Sequence, residues 1–319
     1  MATAEQIKGL VKAYADGNDE RFKTIVLQIA AHEAKLGHDN LARELKKQID
    51  KVGGKRANIV QLTSTNPMLA FSMPSHNLSE LIVSNDVYDK IERVLNEYRN
   101  RNKLAAYGLT NRRKLLIEGN PGTGKTLTAS IIASELSLPL YTVQMDKLVT
   151  KFMGETSAKL RQVFDSIEAM NGVYLFDEFD AIGADRNLDN EVGEMRRILN
   201  SFLQFIEQDN SESIIVAATN NQRLLDQALF RRFDDVLHYT LPTETEIKRL
   251  FEYKIEVYDE RFIVTKEMIE AADGLSHAEI VKVCDDAIKT AILNDGRISD
   301  KTIILLLQER QNVYSRKEA

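Results

Sequence analysis

Eight residues near the middle of the chain have the types and spacing to hold a polyphosphate. Gly119-Asn120-Pro121-Gly122-Thr123-Gly124-Lys125-Thr126 follows the apolar run Leu115-Leu116-Ile117 and opens a stretch with helical character. This is the G-x-x-x-x-G-K-T pattern in its strand–loop–helix setting. The glycines let the backbone curl so that successive N–H groups point inward at phosphate oxygens. The helix that begins at Lys125 and runs on through Leu127 adds its positive end. Lys125 is expected to reach the β- and γ-phosphates, and the Thr126 hydroxyl to ligate Mg²⁺. A chance match in a chain of 319 residues has odds of about 1% at average composition, so an idle glycine turn is set aside.

A second group suits the other half of that chemistry. Val173-Tyr174-Leu175-Phe176 is an apolar run that ends in Asp177-Glu178. A buried strand of an open parallel sheet delivers its C-terminal residues to the edge where ligands sit. Asp177 is expected to hold Mg²⁺ through water, and Glu178 to polarise the attacking water. A carboxylate pair at a strand end is often only a solvated cap; the phosphate loop upstream favours the catalytic reading. Asp180 is read as peripheral.

The elements that must position these groups alternate. Short apolar runs at Lys114–Glu118, Leu140–Val143, Val173–Phe176, Ile214–Ala218 and Val236–Tyr239 are separated by helical stretches. That texture predicts a parallel sheet with helices on both faces. Beyond Pro242 the strands give way to helices at Glu244–Val257, Lys266–Asp273 and Ala278–Asn294, a C-terminal helical lid. Ahead of the sheet, Val87, Ile91, Val94, Leu95 and Tyr98 share one helical face. Residues 53–80, with Pro67, Pro74 and many Ser, Thr and Asn, read as a linker. Its Met68, Leu69, Phe71 and Met73 are apolar enough to dock on a neighbouring surface. Residues 1–52 carry three helical stripes: Ile7, Leu10, Val11 and Tyr14; Phe22, Ile25, Val26 and Ile29; Leu41, Leu45, Ile49 and Val52. Short loops between them favour a small N-terminal helical bundle. It either packs on the rest of the chain or recognises a substrate or partner. The expected division is therefore 1–52 bundle, 53–80 linker, 81–241 large α/β subdomain and 242–319 lid.

Taken in order, these motifs resemble the AAA family of ATPases over roughly Leu81 to Asn312. The resemblance implies a P-loop NTPase fold, with ATP and Mg as cofactors. Ile214–Asn220 is similar to the family's sensor strand, with the Asn220 amide orienting the attacking water. Leu225-Asp226-Gln227-Ala228-Leu229-Phe230-Arg231-Arg232-Phe233-Asp234 resembles its second region of homology, whose arginines reach a neighbouring subunit's site. A guanidinium at the γ-phosphate accelerates cleavage about 10³–10⁵-fold in GTPases. The pair is contiguous here, while many relatives space it by two residues, so either Arg231 or Arg232 is the principal finger. Gly274-Leu275-Ser276-His277-Ala278-Glu279 is similar to the lid motif that covers the base. The family's Gly-Ala-Asp stands as His277-Ala278-Glu279, and His277 and Ala278 are carried over as nucleotide contacts. The Asp-Ile-Gly-Gly-like segment of many relatives is absent around Leu81–Asp86, which leaves that side of the adenine pocket unassigned. Lys151-Phe152-Met153-Gly154-Glu155 resembles the pore loop of protein-remodelling members, in which Phe152 and Met153 would grip a polypeptide. Asp185–Glu191 is a candidate second, acidic pore loop.

The resemblance implies a homo-oligomeric ring, a hexamer by family habit, acting on a protein substrate. Two other readings stay open. One is an ATP-gated switch controlling a partner enzyme, as in stand-alone bacterial AAA proteins that work beside a subtilisin-like protease in phage defence. The other is a nucleic-acid motor, which the formal charge of −6 and the apolar pore segment oppose. The chain has no H-E-x-x-H, and its five histidines are scattered. The single cysteine, Cys284, excludes an intramolecular disulfide framework and a cysteine-based zinc cluster, and reads as a packing thiol. Residues 1–17 lack the apolar run of a signal peptide, and no stretch approaches the ~20 apolar residues of a membrane span. A cytoplasmic protein without membrane contact is expected.

Overall fold

A computed structural model describes residues 66–148, 155–179, 191–220, 230–259, 261–294 and 296–315, with a few positions between 25 and 38. The chain divides into two compact units, Met1–Thr65 and Asn66–Ala319. In the first, the described positions from 25 to 33 are helical, and Val26 and Ile29 of the expected stripe are buried. The other two expected N-terminal helices lie outside the described residues.

The second unit begins with a strand inside the stretch read as linker. β1 (Leu69–Ser72) is followed by α1 (Asn85–Arg99) and α2 (Arg101–Ala105). Next come β2 (Lys114–Gly119), α3 (Lys125–Glu135), β3 (Leu140–Val143), α4 (Met145–Leu148) and α5 (Glu155–Ala169). β4 (Val173–Phe176), α6 (Glu191–Gln208), β5 (Ile214–Thr219) and β6 (Asp235–Tyr239) complete the sheet portion. The lid is α7 (Glu244–Ile255), α8 (Lys266–Ala272), α9 (His277–Leu293) and α10 (Asp300–Ser315).

Sheet order is β1-β3-β4-β5-β2-β6. The five expected strands pair in parallel, and β1 is antiparallel to β3, with Leu69 opposite Val143. All six residues of β5 and all four of β4 are buried, as continuous apolar runs between two helical layers must be. One face packs Tyr174, Phe176 and Phe202 against α5 and α6; the other packs Ile117, Ile132 and Val216 against α1 and α3. All five stripe residues of α1 are buried, and Ser84 caps its first turn through Val87 N. Each large side chain so buried contributes about 1.5–3 kcal/mol relative to exposure.

The lid has its own core around Phe251, Met268, Ile280, Val283 and Ile303. Thr243 and Glu246 form a reciprocal capping box at the start of α7. Cys284 is fully buried there, and burial pushes its thiol up to about 12, the behaviour of an inert packing group. Among the described residues, no helix is long and apolar enough to cross a membrane.

Candidate functional site

The phosphate loop leaves the end of β2 in backbone conformations that only glycine adopts without strain. Gly122 and Gly124 have φ of +75° and +103°. At Gly119 (φ +152°) a Cβ would stand 2.2 Å from the Tyr239 carbonyl oxygen. Gly124 sits at the head of α3 and offers no side-chain cap. The first N–H groups of α3 are left for an anion. The loop is braced from below: Thr123 Oγ1 donates to the Asn120 carbonyl at 2.8 Å, and Thr128 hydrogen-bonds the buried Tyr239 hydroxyl. Burial pushes that phenol well above its ordinary pKa, so it stays protonated.

Around this loop the structure brings together most of the residues expected from sequence. Lys125 is buried, and its ammonium donates to the carbonyls of Gly119 and Asn120 and to Asn220 Oδ1, each at 2.8 Å. Asn220, at the tip of β5, thus meets the lysine of the loop directly. Thr126 Oγ1 donates to Asp177 Oδ2 at 2.6 Å. These two hard oxygen donors suit Mg²⁺, which takes few protein ligands and fills its remaining positions with phosphate and water. Glu178 is exposed, has φ of +50°, and donates its N–H to Asp177 Oδ1 at 2.9 Å. A non-glycine residue in this region stores strain that surrounding structure must over-determine.

The lid closes the other side. Ser276 Oγ accepts Glu279 N at the start of α9, and Ala278 N donates to the Gly122 carbonyl at 2.9 Å. Between lid and sheet lies a cavity of about 500 Å³, lined by the loop residues Pro121–Leu127, Asp177, Glu178, Asn220, His277 and Ala278. It is also lined by Leu81, Ile82, Val83, Leu250, Tyr253 and Lys254, which sequence reasoning did not assign. The apolar triplet Leu81-Ile82-Val83 before the helix-capping Ser84 is visible in the sequence, but it matches no motif. The lid residues come from α7, far from any recognised pattern.

Arg231 and Arg232 are not in this cavity. Asp234 N donates to the Lys114 carbonyl, and Asp234 Oδ2 accepts from the N–H groups of Arg113 and Lys114. That pins the arginine segment to the first residue of β2, whereas the phosphate loop leaves its last. Six strand residues separate the two ends by about 17 Å. Both arginines are exposed. Arg232 ion-pairs with Glu207 on α6, and Arg231 has no ion pair with any described residue. Phe152, Met153, Asp180 and residues 185–190 lie outside the described residues.

Residues 115–241 match the family model described as "ATPase family associated with various cellular activities (AAA)". The chain is 35% identical over 303 residues to an uncharacterized AAA family ATPase of Sinorhizobium fredii, covering 92% of this chain and 90% of that one. It is 30% identical over 205 residues to a 26S proteasome regulatory subunit homolog of Methanothermobacter marburgensis, covering 62% of this chain and 55% of the relative. It is 32% identical over 214 residues to the peroxisomal ATPase PEX6 of Saccharomyces cerevisiae, covering 63% of this chain and 20% of that protein.

Proposed function

The chain belongs to the AAA family of ATPases and hydrolyses ATP, and we propose that it does so as one protomer of a homo-oligomeric ring that pulls on or remodels protein. In this reading Gly119–Leu127 cradle the phosphates, with His277 and Ala278 on the base side. Thr126 and Asp177 hold Mg²⁺, which neutralises charge on the phosphates when bound. Lys125 stabilises the γ-phosphate, Glu178 polarises the attacking water, and Asn220 orients it. Of the pair Arg231 and Arg232, Arg231 serves the neighbour's nucleotide while Arg232 braces the segment through Glu207 of its own chain, and Phe152 and Met153 grip the substrate in a central channel.

One observation carries the ring. The arginine pair stands about 17 Å along β2 from the phosphate loop of its own chain. That exceeds the reach of an arginine side chain, which supports a role for Arg231 at a second subunit's triphosphate rather than at its own. The relatives named for proteasome regulation and peroxisomal ATPase function support a protein substrate.

Remodelling is tested with a tagged, folded reporter and ATP. The wild type is expected to unfold the reporter, and Phe152→Ala to lose unfolding while hydrolysis continues. A wild type that hydrolyses ATP but never unfolds any tagged protein would instead support an ATP-gated switch acting on a partner enzyme.

A further inference from the structure

The segment that carries the exposed Arg231 is tied to two elements at once, and the tie runs through a buried ion pair. Asp209, at the C-terminal end of α6, is only 2% exposed, and its carboxylate pairs with the Arg113 guanidinium. Arg113 also donates to the Asp209 carbonyl, and the Lys114 ammonium donates to the carbonyls of Ile206 and Asp209. The last carbonyls of a helix lack partners within it, and two adjacent side chains serve them here. The same two residues hold the Asp234 carboxylate through their main-chain N–H groups, each at 2.9 Å. From the last turn of α6, Glu207 pairs with Arg232, and Phe233 between Arg232 and Asp234 is buried in the sheet core. The contacts form a closed circuit from α6 to β2, to Asp234, to Arg232 and back to α6, with Arg231 next in sequence.

We propose that Asp209 is a positioning residue for hydrolysis in the neighbouring subunit: its pair with Arg113 fixes the end of α6 against β2 and so sets the direction in which Arg231 leaves the surface. This rests on the ring reading above, in which Arg231 serves a neighbour. Burying an ion pair costs much of what its attraction returns, so the pair is weak evidence of stability alone. Its value here lies in orientation, because a displacement of about 1 Å at a reacting group costs about 10²-fold in rate. Arg113 and Lys114 also set two like charges side by side. Burial and the Arg113 charge lower the Lys114 pKa, and the carboxylates of Asp209 and Asp234 oppose that shift. Asp209→Asn keeps the size of the side chain and leaves the Arg113 charge buried without its carboxylate.

Turnover of the full chain with ATP is read for single variants and for equal mixtures of them. Asp209→Asn should keep ADP affinity within about 3-fold by calorimetry, while turnover falls about 10²-fold. Lys125→Ala has an intact arginine segment and no working site. Mixed with it, Asp209→Asn should recover about a quarter of wild-type turnover per protomer, since half of its sites then face an intact arginine. Mixed with Arg231→Ala it should stay low, because neither chain delivers a well-placed arginine. Any other pattern overturns the proposal, above all recovery with Arg231→Ala and none with Lys125→Ala, which puts the damage at the chain's own site. Unchanged turnover in Asp209→Asn overturns it too. If Asp209→Asn does not fold, Arg113→Lys decides. It keeps the charge but cannot span the carboxylate and carbonyl of Asp209 at once, and should give the same pattern with a loss of about 10-fold; full turnover from it contradicts the role. No recovery in the reference mixture of Arg231→Ala with Lys125→Ala, from chains shown to co-assemble, would instead remove the ring reading, and the role of Asp209 with it.

Discussion

At the scale of single residues, neighbouring groups of one type are set to different tasks by what holds them. Asp177 is half-buried and bonded to Thr126, while Glu178 beside it is exposed and strained toward the cavity. Glu178→Gln is therefore expected to keep nucleotide affinity within about 3-fold while turnover falls about 10²–10⁴-fold, the usual contribution of a general base. Calorimetry and a phosphate-release assay read the two. The arginines divide in the same way. Arg232 ion-pairs with Glu207 of its own chain, and Arg231 is the guanidinium proposed to serve a neighbour. Arg232→Glu should cripple turnover, and adding Glu207→Arg should restore it to within about 3-fold, since a charge-reversed pair still braces the segment. Failure of the reversed pair to restore turnover would make Arg232 a finger in its own right. Arg231→Glu should cost about 10³-fold or more, with no such rescue.

At the scale of elements, the phosphate loop depends on how closely β2 and β6 approach where they end. A Cβ at Gly119 would stand 2.2 Å from the Tyr239 carbonyl, a backbone atom that cannot swing aside. Gly119→Ala should lower stability by about 1–3 kcal/mol, the range for overpacking, and weaken ATP binding; thermal unfolding and nucleotide titration measure both. Contacts of this kind mark the boundary of what the sequence reveals. The loop, the acidic strand end and the sensor asparagine were legible because each is a local pattern on a single strand–turn unit. Strands β3 and β4 fall where their apolar runs predict, and β2, β5 and β6 are longer by one residue. The base side of the cavity was not legible, because Leu81–Val83 and Leu250–Lys254 meet only through packing of lid on sheet. β1 was hidden differently. Leu69, Phe71 and Met73 alternate as a strand should, but Pro67 and Pro74 bracket them and made the stretch read as a linker. Met68 and Leu69 do dock, within the sheet core, while Phe71 and Met73 remain exposed.

At the scale of the whole molecule, the nucleotide cavity and the arginine pair proposed to serve a neighbour lie toward opposite ends of one strand. Lys125, Asp177, Glu178 and Asn220 gather at the C-terminal edge of the sheet, and Arg231 stands at the other. A closed ring of identical protomers brings such ends together at every interface, because a head-to-tail contact repeats until it closes. The most direct test mixes two inactive chains. Arg231→Ala keeps its own nucleotide site but lacks the group for its neighbour; Lys125→Ala keeps that group but has no working site. Mixed in equal amounts under ATP, they should recover about a quarter of wild-type turnover per protomer, since half of the Arg231→Ala sites then face an intact arginine. No recovery from chains shown to co-assemble, or full wild-type turnover from a protein that stays a single subunit with ATP bound, would contradict the account.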